Sequence, residues 1–135
     1  MSYLFEFNWL AVITATVAGF LLGGLWFSPL MFADRWIAAI GKTPEEMGSP
    51  MRSMVLSFIT TFVMSMALAL IIGRLPDMTA LGGLRFGVVL GVGVNLMGMI
   101  SDAAFTKSSR ELLWIQGSYH VVMVTVMSVV HAAWR

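Results

Sequence analysis

The sequence has no cysteine and very little charge. Only 11% of its 135 residues are charged, whereas soluble domains usually have about 25%. This scarcity, with 59% hydrophobic residues and a mean hydropathy of +0.87, excludes an ordinary soluble domain. The lack of cysteine excludes disulfides, thiolate metal sites and cysteine nucleophiles. A net charge of +1, with no basic run, gives no indication of a nucleic-acid partner.

The N-terminus also lacks the usual processing signals. It has no basic residue ahead of the first apolar stretch and carries Glu6 instead, which argues against a cleaved signal peptide. Residue 2 is serine rather than the glycine of a myristoylation motif, so no lipid anchor is expected. The first apolar stretch is therefore expected to stay in the protein as a helix.

Long uncharged runs dominate the rest of the chain. Each approaches the roughly 20 residues that a helix needs to cross the hydrocarbon core of a bilayer. They predict an all-α, four-transmembrane-helix bundle that forms a single transmembrane domain over residues 1–135, with spans at about 8–27, 53–72, 81–104 and 112–134. Pro29 ends the first span, and Leu30–Ile40 reads as a short amphipathic helix lying in the membrane interface, anchored by Trp36. Thr43 and Pro44 are the N-cap and first residue of one more short helical turn.

Small residues recur at helical spacing within the spans. Gly19-x-x-x-Gly23 and Gly87-x-x-x-Gly91 allow another backbone to approach closely, which is how helices associate where lipid removes the hydrophobic drive. These glycines are predicted to be helix-packing residues, either within the chain or between copies in a homo-oligomer. Four methionines between residues 51 and 66 are better explained by packing than by a metal site.

Basic residues set the predicted orientation. With four spans, the first and third connections share one side of the membrane, and the termini and second connection share the other. The first side holds five of the eight basic residues: Arg35, Lys42, Arg52, Lys107 and Arg110. The second holds three: Arg74, Arg85 and Arg135. This difference favours a multi-pass protein of the cell inner membrane with both termini outside.

Several motifs together resemble the bacterial domain-of-unknown-function family 1761. The matching residues are Asn8-Trp9, the run 23–29 that contains Trp-x-Ser-Pro, Phe32, Trp36, and the Gly-x-Tyr-His motif at 117–120. The resemblance implies a small four-helix membrane protein and implies no activity. It also implies an acidic residue shortly before Gly-x-Tyr-His, where this chain has Gln116, and that difference argues against a proton relay.

Five polar residues of the third and fourth spans form the candidate intramembrane site: Asn95, Asp102, Gln116, Tyr119 and His120. Asn95 and His120 each lie about 4–5 Å from the midpoint of their spans, towards the same connection. Antiparallel neighbours are therefore able to bring them together. Asp102 and Gln116 lie nearer the membrane edge on that side. Two interpretations remain open, a hydrogen bond that only fixes helix packing and a polar seam that lines a cavity.

Metal and catalytic sites have little support. His120 and His131 are separated by about 16 Å along one helix, so a single chain cannot bring both to one ion. His131 lies near the opposite membrane edge and is expected to be interfacial. No motif of a hydrolase, metalloprotease or nucleotide-binding enzyme is present, so no catalytic residue, metal or cofactor is predicted and the protein is not expected to be an enzyme.

Two functional hypotheses follow. In the first, the protein forms a conduit or binding cavity for a small solute or ion, as an oligomer in the lipid bilayer. In the second, it is a structural or accessory membrane protein whose polar residues only fix helix packing.

Overall fold

A computed structural model describes residues 6–135, and these residues are almost entirely helical. Within them the chain forms seven α-helices and one π-helical segment, here called the π segment: α1 (Trp9–Trp26), α2 (Ala33–Ile40), α3 (Pro44–Met47), α4 (Pro50–Ile72), α5 (Ala80–Leu90), the π segment (Gly91–Leu96), α6 (Met97–Thr106) and α7 (Arg110–Ala133). The predicted all-α fold is confirmed.

Four of these helical stretches are long and apolar enough to cross a membrane: α1, α4, the continuous stretch Ala80–Thr106 and α7. We call Ala80–Thr106 the third span. The prediction of four helices long and apolar enough to cross a membrane is confirmed, and the helix ends differ from the predicted span ends by at most three residues. The third span departs from the prediction in its middle, where the π segment interrupts the regular α-helix between α5 and α6.

Short polar side chains fix where the helices begin. The side chains of Asn8, Thr79 and Ser109 accept hydrogen bonds from backbone N–H groups in the first turns of α1, α5 and α7. Thr43 does the same for α3, and Pro44 opens that helix as predicted. Gly41 ends α2 with a φ of 69°, which a residue with a side chain rarely adopts.

Helix α7 is the centre of the bundle. It packs against α1, α4, α5 and α2, and 39% of its 18-residue apolar stretch is buried within the structure. Its inward side chains include Met123, Val124 and Met127, each at most 2% exposed. The third span lies at the periphery, and only 6% of its 18-residue apolar stretch is buried. Most of its apolar surface is therefore turned to whatever surrounds the bundle.

The short helix α2 returns from the end of α1 to the beginning of α7. The turn is closed by backbone hydrogen bonds, among them Phe32 N–H to Trp26 O at 3.1 Å. An ion pair joins Arg35 Nε to Glu111 Oε1 at 3.2 Å, with both side chains more than half exposed. Such an exposed pair contributes little to stability. The interfacial position of α2 stays a prediction.

Candidate functional site

Glycines of the third span let it lie directly on α7. A Cβ atom added at Gly87 would be 2.5 Å from Thr125 Cα, and one at Gly91 would be 3.0 Å from Val121 Cα. Gly83, one turn earlier, would meet the Ser128 carbonyl oxygen at 2.7 Å. No side chain fits between these backbones. The predicted packing residues Gly87 and Gly91 thus lie in an intramolecular contact, which Gly83 extends.

Beyond the π segment, α6 diverges from α7. Helix α6 contacts α7 far less than α5 does, and a cleft of about 200 Å³ opens between them. We call it the α6–α7 cleft. It is lined by Met99, Asp102, Ala103, Thr106, Ser108, Leu112, Leu113 and Gln116. Two residues of the predicted polar site, Asp102 and Gln116, therefore share one cleft at the end of the bundle.

Hydroxyl groups complete the polar lining of the α6–α7 cleft. Thr106 Oγ1 donates to the Asp102 carbonyl oxygen at 3.0 Å and lies 2.8 Å from Ser108 Oγ. Because Thr106 has a single hydroxyl proton, Ser108 is the donor in the second bond. Neither bond uses the Asp102 carboxylate. Asp102 is an exposed residue of the cleft lining, and its carboxylate has no hydrogen-bond partner in residues 6–135.

A hydrogen bond between Asn95 and His120 is one of the two interpretations that the sequence leaves open. Both side chains are half-buried, and no hydrogen bond joins them within the described part of the chain. Gly91 and Leu96 of the π segment both contact α7, and Leu96 Cδ1 lies close to Gly117. The prediction that Asn95 lies level with His120 assumes that the third span is a regular α-helix. The π segment changes which side chains of that span face α7. His120 instead has its ring centroid 5.2 Å from that of Tyr119.

Tyr119 lies in an aromatic cluster between α1 and α7 rather than beside Asn95 or Asp102. Its hydroxyl donates to Gly19 O at 3.2 Å, and its ring lies 5.1 Å from that of Phe27. Trp26 adds a second bond between the same helices, from Nε1 to Ile115 O at 3.0 Å. Gly23 makes room for this cluster, because a Cβ there would be 2.7 Å from the Tyr119 hydroxyl.

Gly19 lies where three helices meet. A Cβ atom there would be 3.1 Å from Thr61 of α4 and 3.1 Å from Met127 of α7. Gly19 and Gly23, predicted to be helix-packing residues, thus both contact other helices of the same chain.

His131, predicted near the membrane edge, is buried among the helices at the end of the bundle, and its level in the membrane stays a prediction. Its side chain is only 5% exposed, and Nε2 lies 2.9 Å from Ser65 Oγ. Ser65, fully buried, donates in turn to Val12 O at 2.9 Å. The sequence did carry a signal: His131 follows Met127 by four residues, so both lie on the same face of α7, and Met127 is in the core.

The family profile described as Protein of unknown function (DUF1761) matches residues 10–132, which is nearly the whole chain. The chain belongs to the DUF1761 family. Comparison with curated proteins and with solved structures finds no significant match.

In this DUF1761 protein the two motifs that suggested the family lie together. Phe27 of the Trp-x-Ser-Pro junction contacts both Tyr119 and Trp36, at ring-centroid distances of 5.1 and 4.8 Å. Trp26 contacts Phe32 at 5.2 Å. The Gly-x-Tyr-His motif therefore forms the α7 side of the joint that holds α1 and α2. This position gives Tyr119 a packing role and leaves Asp102 and Gln116 as the accessible polar pair.

Metal binding has no support in the described residues. No group of three or more histidine, aspartate or glutamate side chains lies close enough to hold an ion within residues 6–135. The two histidines are also separated, with His131 bonded to Ser65 and the His120 ring tilted against that of Tyr119.

Proposed function

We propose that this multi-pass protein of the cell inner membrane binds a small polar solute or ion in the α6–α7 cleft. The observation that supports this proposal most directly is the divergence of α6 from α7, which opens a space beside Asp102 and Gln116. A carboxylate, an amide and two hydroxyls converge there on an otherwise apolar wall. Polar groups that line a recess together with apolar side chains are typical of small-ligand sites. π-helical insertions are also frequent near functional sites, and one begins this divergence.

The charge of the lining favours a positively charged ligand. Asp102 is the one charged side chain among the described residues that line the cleft. Gln116 and Ser108 offer oxygen acceptors beside it, and oxygen acceptors suit an alkali cation or a protonated amine.

A conduit through a single copy has no support in the core. Met123, Val124 and Met127 fill the middle of α7 and are at most 2% exposed. We therefore propose that any passage involves a homo-oligomer, in which a second copy contacts the third span. Asn95 supports this, since a half-exposed amide without a hydrogen-bond partner in residues 6–135 is costly within a hydrocarbon environment.

The test measures stabilisation by cations. Purified protein in nanodiscs is heated with sodium, potassium or methylammonium chloride at one ionic strength, because a ligand that binds only the folded state raises the melting temperature. We expect one cation to raise it and Asp102→Asn to abolish the rise. Asp34→Asn, on exposed α2 and outside the cleft, is the matched control. An equal rise in melting temperature for the two variants would contradict the proposal.

A structural or accessory role is the second candidate, and the interhelical bonds favour it. Trp26, Ser65, Tyr119 and His131 all hold helices together. If this role is the whole function, no cation stabilises the protein, and loss of function in cells follows the loss of fold. The two candidates differ at Asp102→Asn, which leaves every interhelical bond intact but removes the charge of the cleft.

A further inference from the structure

A second and larger cleft lies at the opposite end of the bundle, where residues 6–8 meet residues 134–135. It has a volume of about 320 Å³ and is formed by the start of α1 and the ends of α4 and α7. We call it the terminal cleft. It is lined by Glu6, Phe7, Asn8, Ala69, Gly73, His131, Trp134 and Arg135. None of these residues belongs to the α6–α7 cleft.

The hydrogen bonds of His131 fix its tautomer. Ser65 has one hydroxyl proton and donates it to Val12 O, so Ser65 Oγ acts as the acceptor towards His131 Nε2. The network therefore assigns the ring proton to Nε2. The other nitrogen, Nδ1, is left as a hydrogen-bond acceptor on a residue that lines the terminal cleft.

Among the described residues of the lining, one carries a negative charge and one a positive charge. Glu6 contributes a carboxylate. Arg135 contributes a guanidinium that donates from one nitrogen to Leu75 O at 2.7 Å, and a guanidinium has five N–H groups in all. Asn8 is already used on both sides, since it accepts from Ala11 N–H and donates to Trp134 O. The Asn8 side chain thus has a structural role. The groups that remain to bind a ligand are the two charged groups and the imidazole.

We propose that the terminal cleft binds a small zwitterion with an ammonium group and a carboxylate, the chemistry of a free amino acid. The ammonium group donates to His131 Nδ1 and pairs with Glu6, and the carboxylate pairs with Arg135. A simple anion would be repelled by Glu6, and a simple cation by Arg135. This site shares no residue with the α6–α7 cleft, so the two proposals are tested separately.

The experiment uses the full chain in nanodiscs, labelled with ¹⁵N-histidine, and follows the His131 Nδ1 resonance during titration with glycine. We expect a saturable shift with glycine. Trimethylglycine has the same charges without an N–H donor and is expected to give none. Methylammonium and acetate, which each carry one charge, are expected to bind at least about tenfold more weakly.

Variants at exposed positions separate binding from folding. Glu6→Gln and Arg135→Gln should each weaken glycine binding by about tenfold or more, and Arg35→Gln, at the other end of the bundle, should leave it unchanged. The His120 resonance serves as an internal control, since that ring is not part of the terminal cleft. An absent glycine shift would overturn the proposal, and so would equal binding of glycine and trimethylglycine. Unchanged binding in both Glu6→Gln and Arg135→Gln would do the same.

Discussion

Ser65 joins three helices through one hydroxyl group. Its oxygen accepts from His131 Nε2 on α7 and its proton goes to Val12 O on α1, while Ser65 itself is on α4. Thr16 Oγ1 also donates to Val12 O, at 2.7 Å. A buried imidazole without a partner is costly in an apolar environment. Ser65 is therefore more important to the fold than its small size suggests.

Ser65→Ala should destabilise the protein by about 1 kcal/mol, because it removes two interhelical bonds and leaves His131 Nε2 without an acceptor. The measurement is the free energy of unfolding in mixed micelles titrated with a denaturing detergent. Ser57→Ala is the control, two turns earlier on the same helix and exposed. If the two variants unfold at the same detergent fraction, the hydrogen bonds of Ser65 contribute nothing measurable.

Trp26→Phe tests the α1–α7 joint at a single atom. The change removes the indole N–H that donates to Ile115 O and keeps an aromatic ring near Phe32. We expect a loss of about 1 kcal/mol in the free energy of unfolding. Trp9→Phe is matched to it, since Trp9 lies at the other end of α1, is 49% exposed and makes no interhelical hydrogen bond within the described chain. A larger loss for Trp9→Phe would contradict the assignment.

At the scale of elements, the contact between α5 and α7 depends on the absence of side chains. Gly87→Ala would place a methyl group 2.5 Å from Thr125 Cα, so the helices must move apart. We expect a loss of about 1–3 kcal/mol, typical of overpacking. Gly98→Ala, on α6 of the same span, has nothing within 4 Å and should leave stability unchanged or slightly raised. Detergent unfolding of the two variants checks this, and an equal loss in both would exclude the close contact as the cause.

The elements themselves follow from patterns that one sequence carries. Uncharged runs of bilayer length gave the four spans, and Thr43 with Pro44 gave the start of α3 because capping is local chemistry. The π segment did not follow, since Gly91–Leu96 reads as an ordinary apolar helix and its extra residue per turn has no side-chain signature. The level estimated for Asn95 assumes that this helix is regular. The burial of His131 did not follow for another reason: depth along a helix gives a residue's level in the membrane but not which neighbour covers it.

At the scale of the whole molecule, the burial of the spans is very unequal. Helix α7 is surrounded by its neighbours, whereas the third span contributes one packed end, through Gly83 and Gly87, and an exposed remainder. The two polar clefts lie at opposite ends of the bundle. With four helices crossing the membrane as predicted, they would open on opposite sides. Their access therefore depends on orientation, which makes the topology the next quantity to measure.

The absence of cysteine makes orientation directly testable. Single cysteines placed by Ser49→Cys, Ser108→Cys and Pro76→Cys lie in exposed connections and change no charge. With both termini outside, an impermeant maleimide added to spheroplasts should label only the cysteine at position 76, and inverted vesicles should show the reverse.

The orientation is predicted to depend on a small excess of basic residues, so it should be fragile. Lys107→Gln with Arg110→Gln lowers the count on the cytoplasmic side from five to three, equal to the three on the other side. Because the distribution of Lys and Arg sets the orientation, we expect this double variant to insert in both directions, with each cysteine labelled from both sides. Asp34→Asn with Glu111→Gln is the control, since acidic residues contribute little to orientation. A double Lys/Arg variant that keeps one orientation would show that something other than these charges sets the direction of insertion, and the side on which each cleft opens would then have to be assigned from the labelling alone.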